Sequence, residues 1–235
     1  MLYSASQNAS LLITATGGEY ENKTPKDVLI KYARDPNSAP LFNYASMAHN
    51  NHFFFSGLSP EETPIPKALQ KSLENSFSSI ETLRREFVIT ASSMFGPGFV
   101  WLVKTKDQKF SLLTTYLAGS PYPGAHYRRQ TMDMNTEDSA SGNGGVSAHL
   151  RSLLSGPPVN QVGAHGPLSR KDKAPGGTEL TPVLCLNTWE HVYLPDYGVG
   201  AAGQGGKTAY AQNWWNRIDW NVVNNHANFK TSFIT

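Results

Sequence analysis

The residues of this 235-residue chain best equipped for chemistry lie together in Asn187-Thr188-Trp189-Glu190-His191-Val192-Tyr193-Leu194-Pro195-Asp196-Tyr197. An imidazole such as His191 is a good metal ligand. A neutral carboxamide such as Asn187 is a much weaker ligand for a hard cation than a carboxylate, and it brings no compensating charge. Glu190 beside His191 has a local polar pair as its plainer alternative reading. The other chemically active residue types are thinly spread. His149 and His165 stand alone, without metal-ligand spacing. Cys185 is the single cysteine and sits in the apolar run Val183–Leu186 with no base beside it, so it reads as a small buried hydrophobe. One cysteine excludes an internal disulfide framework and fits a reducing compartment.

Two further stretches invite a phosphate. Gly200-Ala201-Ala202-Gly203-Gln204-Gly205-Gly206-Lys207-Thr208 approaches the pattern G-x-x-x-x-G-K-[ST]. That pattern requires glycine where Ala201 stands, and a strand before it, so a loop leading into a helix is the better reading. Basic residues cluster at Lys23, Lys26, Lys31 and Arg34, and again at Arg128, Arg129, Arg151, Arg170, Lys171 and Lys173. Such charges are either solvated surface or candidate contacts to RNA phosphates, with Tyr122, His126 and Tyr127 as candidate stacking partners for unpaired bases. The net charge of +2 permits a nucleic-acid partner without requiring one. No apolar run approaches the roughly 20 residues of a membrane-spanning helix.

Helices and a small sheet must position these residues. Residues 1–23 read as an irregular leader, and residues 1–18 hold no Arg or Lys, which makes them a poor transit peptide. Thr24-Pro25 starts a helix to about Arg34, and Asp35-Pro36-Asn37 breaks it. Helices are expected over Pro40–Phe55, near Pro66–Asn75 and over Ser78–Phe95, completing a helical N-terminal part, 24–95. Gly96-Pro97-Gly98 then breaks the pattern. Strands at Phe99–Val103 and Phe110–Leu117 form a hairpin, with a third at Thr181–Leu186. Helical pieces at Lys207–Trp215 and Ile218–Asn225 close a C-terminal α/β domain, 96–230. A long polar insertion, 121–177, interrupts it, and its length suggests a functional or partly disordered loop. Helices followed by a small antiparallel sheet with flanking helices define an α+β protein.

Several separated motifs, in order, resemble those of the iron/manganese superoxide dismutases. Phe42-Asn43-Tyr44-Ala45, Asn50, Phe53-Phe54-Phe55 and Leu58-Ser59-Pro60 resemble that family's F-N-N-A…N-H-x-F-Y-W…L-x-P helix. Phe95-Gly96-Pro97-Gly98-Phe99-Val100-Trp101-Leu102-Val103 resembles F-G-S-G-W-G-W-L-V, and Thr181-Pro182-Val183-Leu184 leads into the W-E-H stretch as T-P-L-L does. Trp214-Trp215-Asn216 and Ile218-Asp219-Trp220 resemble the closing F-W-x-L-V-N-W. The resemblance implies a helical N-terminal part and a C-terminal α/β domain with a three-stranded antiparallel sheet.

It also implies a metal site held by three His and one Asp, and here the chain departs from the pattern. No His precedes His49, so the first ligand has no counterpart. The second falls on Asn51, with His52 one residue, and about 100° of helix, away. The third, the Asp, is Asn187; only His191 remains. Met47 stands where the family places a glutamine near the metal. The expectation is therefore a degenerate fold with no metal, no cofactor and no enzymatic activity. In the family the Glu of W-E-H reaches across a twofold axis, so Glu190 and His191 are expected at a dimer interface. The group with this combination of features is the dismutase-like proteins of the fungal mitochondrial small ribosomal subunit, which occur as paired related chains. That resemblance implies a structural ribosomal protein in the mitochondrial matrix, touching ribosomal proteins and RNA and pairing with a paralogous dismutase-like chain. The alternative is a working iron or manganese dismutase with a rearranged ligand set.

Overall fold

The structure is a computed structural model and describes residues 20, 23–33, 35, 38–122, 125, 180–200 and 205–228. Residues 1–19 of the leader, and the insertion apart from Pro121, Tyr122 and Ala125, lie outside them.

Local chemistry sets the first elements. Helix α1 (Pro25–Tyr32) begins with a capping box: the Thr24 side chain accepts from the Asp27 amide while the Asp27 carboxylate accepts from the Thr24 amide. Its C-terminal end falls close to the expected break. Helix α2 (Ala39–Ser56) follows, with proline in its first turn and Gly57 at its end. Helix α3 (Lys67–Phe77) is amphipathic and buries Leu69 and Leu73. Helix α4 (Ile80–Ser93) is capped by the Ser79 hydroxyl and buries Leu83, Phe87 and Ala91 at helical spacing.

Strands β1 (Gly98–Thr105), β2 (Phe110–Tyr116) and β3 (Leu180–Asn187) form an antiparallel sheet in the order β2-β1-β3. Central β1 is buried along seven of its eight residues, which explains why its sequence is an apolar run and not an alternation. Gly98 is dictated by its neighbour: a Cβ there would stand 2.2 Å from the Thr115 carbonyl oxygen of β2. Pro182 has no amide hydrogen for the ladder. It sits on edge strand β3 beside the irregularity where Leu102 faces Leu184 but Val103 faces Pro182.

Helix α5 (Glu190–Tyr197) follows β3 directly, then α6 (Gly206–Trp215) and α7 (Trp220–His226). The sequence pattern does not anticipate α5, because Pro195 lies inside it and Trp189 at its N-cap offers no side-chain bond. Asp219 caps α7 by accepting from Asn221 and Val222, so that helix begins two residues later than expected.

One core unites both halves of the chain. Phe54, Leu73, Phe87, Trp101, Leu184, Trp214 and Val223 belong to a single buried cluster. A second cluster joins Val28 and Leu29 of α1 to Phe42 and Ala45 of α2 and to Ala118, Tyr122 and Ala125. Met47 packs against both clusters.

Candidate metal centre

Two amides meet where the resemblance places metal ligands. Asn51 lies on the buried face of α2, one turn before Phe54. Asn187 ends β3, paired with Phe99 of the central strand. Asn187 Nδ2 donates to Asn51 Oδ1 at 2.9 Å. Asn187 Oδ1 accepts from the Trp189 amide at 2.9 Å, closing the turn into α5. Asn187 is 1% exposed and Asn51 7%. Buried polar groups need partners, and Asn51 Oδ1 and the Trp189 amide supply them for both ends of the Asn187 side chain.

The donor set does not fit iron or manganese. The amide nitrogen of Asn187 carries hydrogens toward Asn51, not a lone pair toward a cation, and its neutral oxygen is turned to the Trp189 amide. His52 is exposed, as expected for a residue one step around the helix from buried Asn51. His191 is exposed in the first turn of α5, its ring 5.5 Å from that of Trp189, and it makes no hydrogen bond to either amide. Partial burial lowers its pKa, while the charge of Glu190 acts in the opposite direction. Among the described residues, no three His, Cys, Asp or Glu side chains are grouped as a metal site.

A second buried polar network lies one turn earlier on α2. The Ser46 hydroxyl donates to the Ala118 carbonyl, and Asn50 Nδ2 donates to the Gly119 carbonyl at 2.9 Å. The Ser120 hydroxyl donates to Asn50 Oδ1 at 2.8 Å, and His49 Nε2 lies 2.8 Å from the Tyr122 hydroxyl. Ser46 and Asn50 are four residues apart, on one helix face, and together they clamp the segment leading into the insertion. The i, i+4 spacing is the one sequence signal for this network. The same network corrects an expectation: Tyr122 is buried and bonded to His49, so it is not a stacking surface for RNA bases. Burial pushes its hydroxyl pKa up, so it stays protonated.

Burial of His49, reinforced by Lys26 and His52, pushes its pKa down to about 4. The sign follows directly. A folded value below the ordinary 6.5 means the unfolded chain takes the proton first. His49 therefore supports full stability above about pH 6.5, and this is lost as pH falls toward 4. The upper bound is about 3 kcal/mol, reduced to about 2 because the ring is partly accessible. His49→Gln is expected to flatten this part of the profile, read as the difference between variant and wild-type urea midpoints from pH 7.5 to 4.

Lys207 is also committed elsewhere. Its Nζ donates to the Met94 carbonyl at 2.9 Å and lies 5.8 Å from the Tyr193 ring centre. It ties α6 to the C-terminal end of α4 and does not front a phosphate loop. Cys185 is buried, and burial drives its thiol pKa up, so it is an unreactive core residue. Arg128, Arg129, Arg151, Arg170, Lys171, Lys173, His126, Tyr127, His149 and His165 lie outside the described residues.

The helices, the β2-β1-β3 sheet and the Trp189-Glu190-His191 junction define an α+β protein of dismutase architecture, with a buried amide pair joining α2 to β3. The sequence model of the iron/manganese superoxide dismutase C-terminal domain matches residues 65–134 and 166–226, and the chain belongs to that family. The small ribosomal subunit protein mS42 of Schizosaccharomyces pombe is 31% identical over 210 residues, covering 86% of this chain and 73% of that protein. The small ribosomal subunit protein mS43 of the same organism is 28% identical over 216 residues, covering 88% and 68%. The chloroplastic iron superoxide dismutase 2 of Oryza sativa subsp. japonica is 40% identical over 96 residues, 40% of this chain and 38% of that protein. The likeness to the two ribosomal proteins thus spans most of the chain, and the likeness to the rice enzyme less than half of it.

Proposed function

We propose that this chain is a structural, non-enzymatic component of the mitochondrial small ribosomal subunit. The observation that carries the non-enzymatic reading is the Asn51–Asn187 amide pair, which joins α2 to β3 at the position of a metal centre. The assembly reading is supported by similarity over most of the chain to two small ribosomal subunit proteins. Its partners are ribosomal proteins and RNA, and a related dismutase-like chain.

The surface around Glu190 supports the last of these. Phe95 is 95% exposed and Leu117 59%, with Tyr116 about half exposed beside them. They adjoin the W-E-H junction: Met94 contacts the Thr188 hydroxyl, the Thr188 amide donates to the Gly98 carbonyl, and the Leu117 amide donates to the Pro97 carbonyl. Large exposed apolar groups beside polar residues make a surface suited to a second subunit. In this reading Glu190 and His191 supply the polar part of that interface.

Sedimentation of a mitochondrial lysate at low salt tests the assembly. Co-migration with the small subunit, together with a paralogous dismutase-like chain, is expected. A chain that stays at the top of the gradient contradicts the proposal.

A further inference from the structure

A cleft of about 550 Å³ opens between the end of α2, the connection that follows it, and helices α5 and α6. That size falls within the roughly 300–1,000 Å³ of ligand pockets. Two carboxylates from separate parts of the chain line it, Glu62 from the α2–α3 connection and Asp196 from α5. Neither has a hydrogen bond or an ion pair among the described residues. Among the described residues the lining holds one cation, Arg217, and its guanidinium donates to the Pro60 carbonyl.

Aromatic rings form part of its wall. Tyr197, Tyr210 and Trp214 all line it. The tyrosine rings are held in place. Tyr210 meets Tyr197 edge-on at 5.7 Å and stacks on Tyr193 at 5.9 Å, and Asn213 Nδ2 donates to the Tyr197 hydroxyl at 3.3 Å. The wall is also unfinished in its hydrogen bonding. Tyr210 is 7% exposed and Trp214 5%, and neither the Tyr210 hydroxyl nor the Trp214 indole N–H has a partner among the described residues. A buried donor left unmade is costly, and an acceptor brought by an occupant removes that cost.

We propose that the cleft docks a basic segment of a partner protein, one arginine or lysine side chain of which enters beside Glu62 and Asp196. Carboxylates without a partner favour a cation, and ring faces attract a guanidinium or ammonium while its aliphatic stem lies along them. The main-chain carbonyls of the same segment offer acceptors to the Tyr210 and Trp214 donors. A free amine supplies the charge but no acceptor, so the occupant is a peptide. The proposal rests on the assembly reading only in taking the partner to be a protein; the carboxylates, the rings and the two donors supply its chemistry.

The test is fluorescence anisotropy of a labelled, amidated peptide of alternating leucine and arginine, titrated with the purified chain. Glu62 and Asp196 are exposed, so E62Q/D196N leaves the core intact. The control is E86Q/D107N, which removes the same charge from exposed positions of α4 and the β1–β2 turn. E62Q/D196N is expected to weaken binding about tenfold, with E86Q/D107N within about twofold of wild type. Y197F, which keeps the ring, should bind within about twofold of wild type, and Y197L about fivefold more weakly. Equal losses in the two acid variants, no binding by the wild-type chain, or wild-type binding by Y197L overturns the proposal. Displacement of the peptide by spermidine as readily as by unlabelled peptide assigns the cleft to free amines and overturns it too. These outcomes are separable from the assembly reading. A chain that co-sediments with the subunit but fails here loses only the cleft; one that binds the peptide but does not co-sediment loses only the ribosomal placement.

Discussion

Asn187→Leu is expected to lower stability by about 4 kcal/mol. Leucine fills a similar volume but cannot donate to Asn51 Oδ1 or accept from the Trp189 amide. Each polar group so orphaned in a buried site costs about 1–3 kcal/mol, and two are orphaned at once. Asn51→Leu orphans only the Asn187 Nδ2 and is expected to cost about 2 kcal/mol. The double variant is the decisive comparison. With both amides gone, apolar groups face each other and only the Trp189 amide is left without its acceptor, so the double variant should lose about 2 kcal/mol and fall short of the sum by about 4 kcal/mol. Urea unfolding of the four proteins, at unchanged m-value, measures that coupling. Strictly additive losses would mean that the two amides do not act as a unit.

Gly98→Ala is expected to be at least as damaging, costing more than about 4 kcal/mol or preventing soluble expression. The added methyl would stand 2.2 Å from the Thr115 carbonyl oxygen, 2.7 Å from Met94 Cε and 3.1 Å from Tyr116 Cα. The methionine end can move aside, but the other two atoms are backbone of β2. The strand must then leave central β1, breaking the registry of Gly98 with Tyr116 and Phe99 with Thr115. It also pulls Thr115 Oγ1 from the buried Trp101 indole, which donates to it at 2.9 Å. Few single substitutions exceed this magnitude, and those that do act by such steric displacement of the core. A urea midpoint within error of wild type would show that the sheet tolerates a wider spacing.

Much of this was legible in the residue pattern, and the rest was not for physical reasons. Thr24-Pro25 with Asp27, the apolar spacing of α4 and the glycine break before β1 are local signals, and the elements they imply are present within a few residues. Helix α5 was hidden because its stability comes from packing Tyr193 into the core, while Pro195 argues locally against a helix. The Asn51 and Asn187 positions could be found by motif order, yet no sequence pattern says that two amides 136 residues apart bond to each other. Lys104 follows an apolar run in β1 and looks like the exposed end of a strand. The Ala227 carbonyl, supplied by the end of α7, makes its burial intelligible. Tyr122 misled in the other direction. In a polar loop it reads as an exposed aromatic, and the partner that buries it, His49, lies on a helix 73 residues earlier.

The most direct test of the degenerate centre is metal content after refolding or expression in excess manganese and iron, measured by inductively coupled plasma mass spectrometry. Wild type and Asn187→Asp should both hold far less than one ion per chain. The variant restores one carboxylate, but Asn51 still stands where an imidazole would be needed, and His191 remains exposed. Near-stoichiometric manganese or iron in either protein, with superoxide dismutation to match, would contradict the replacement of the metal by an amide pair.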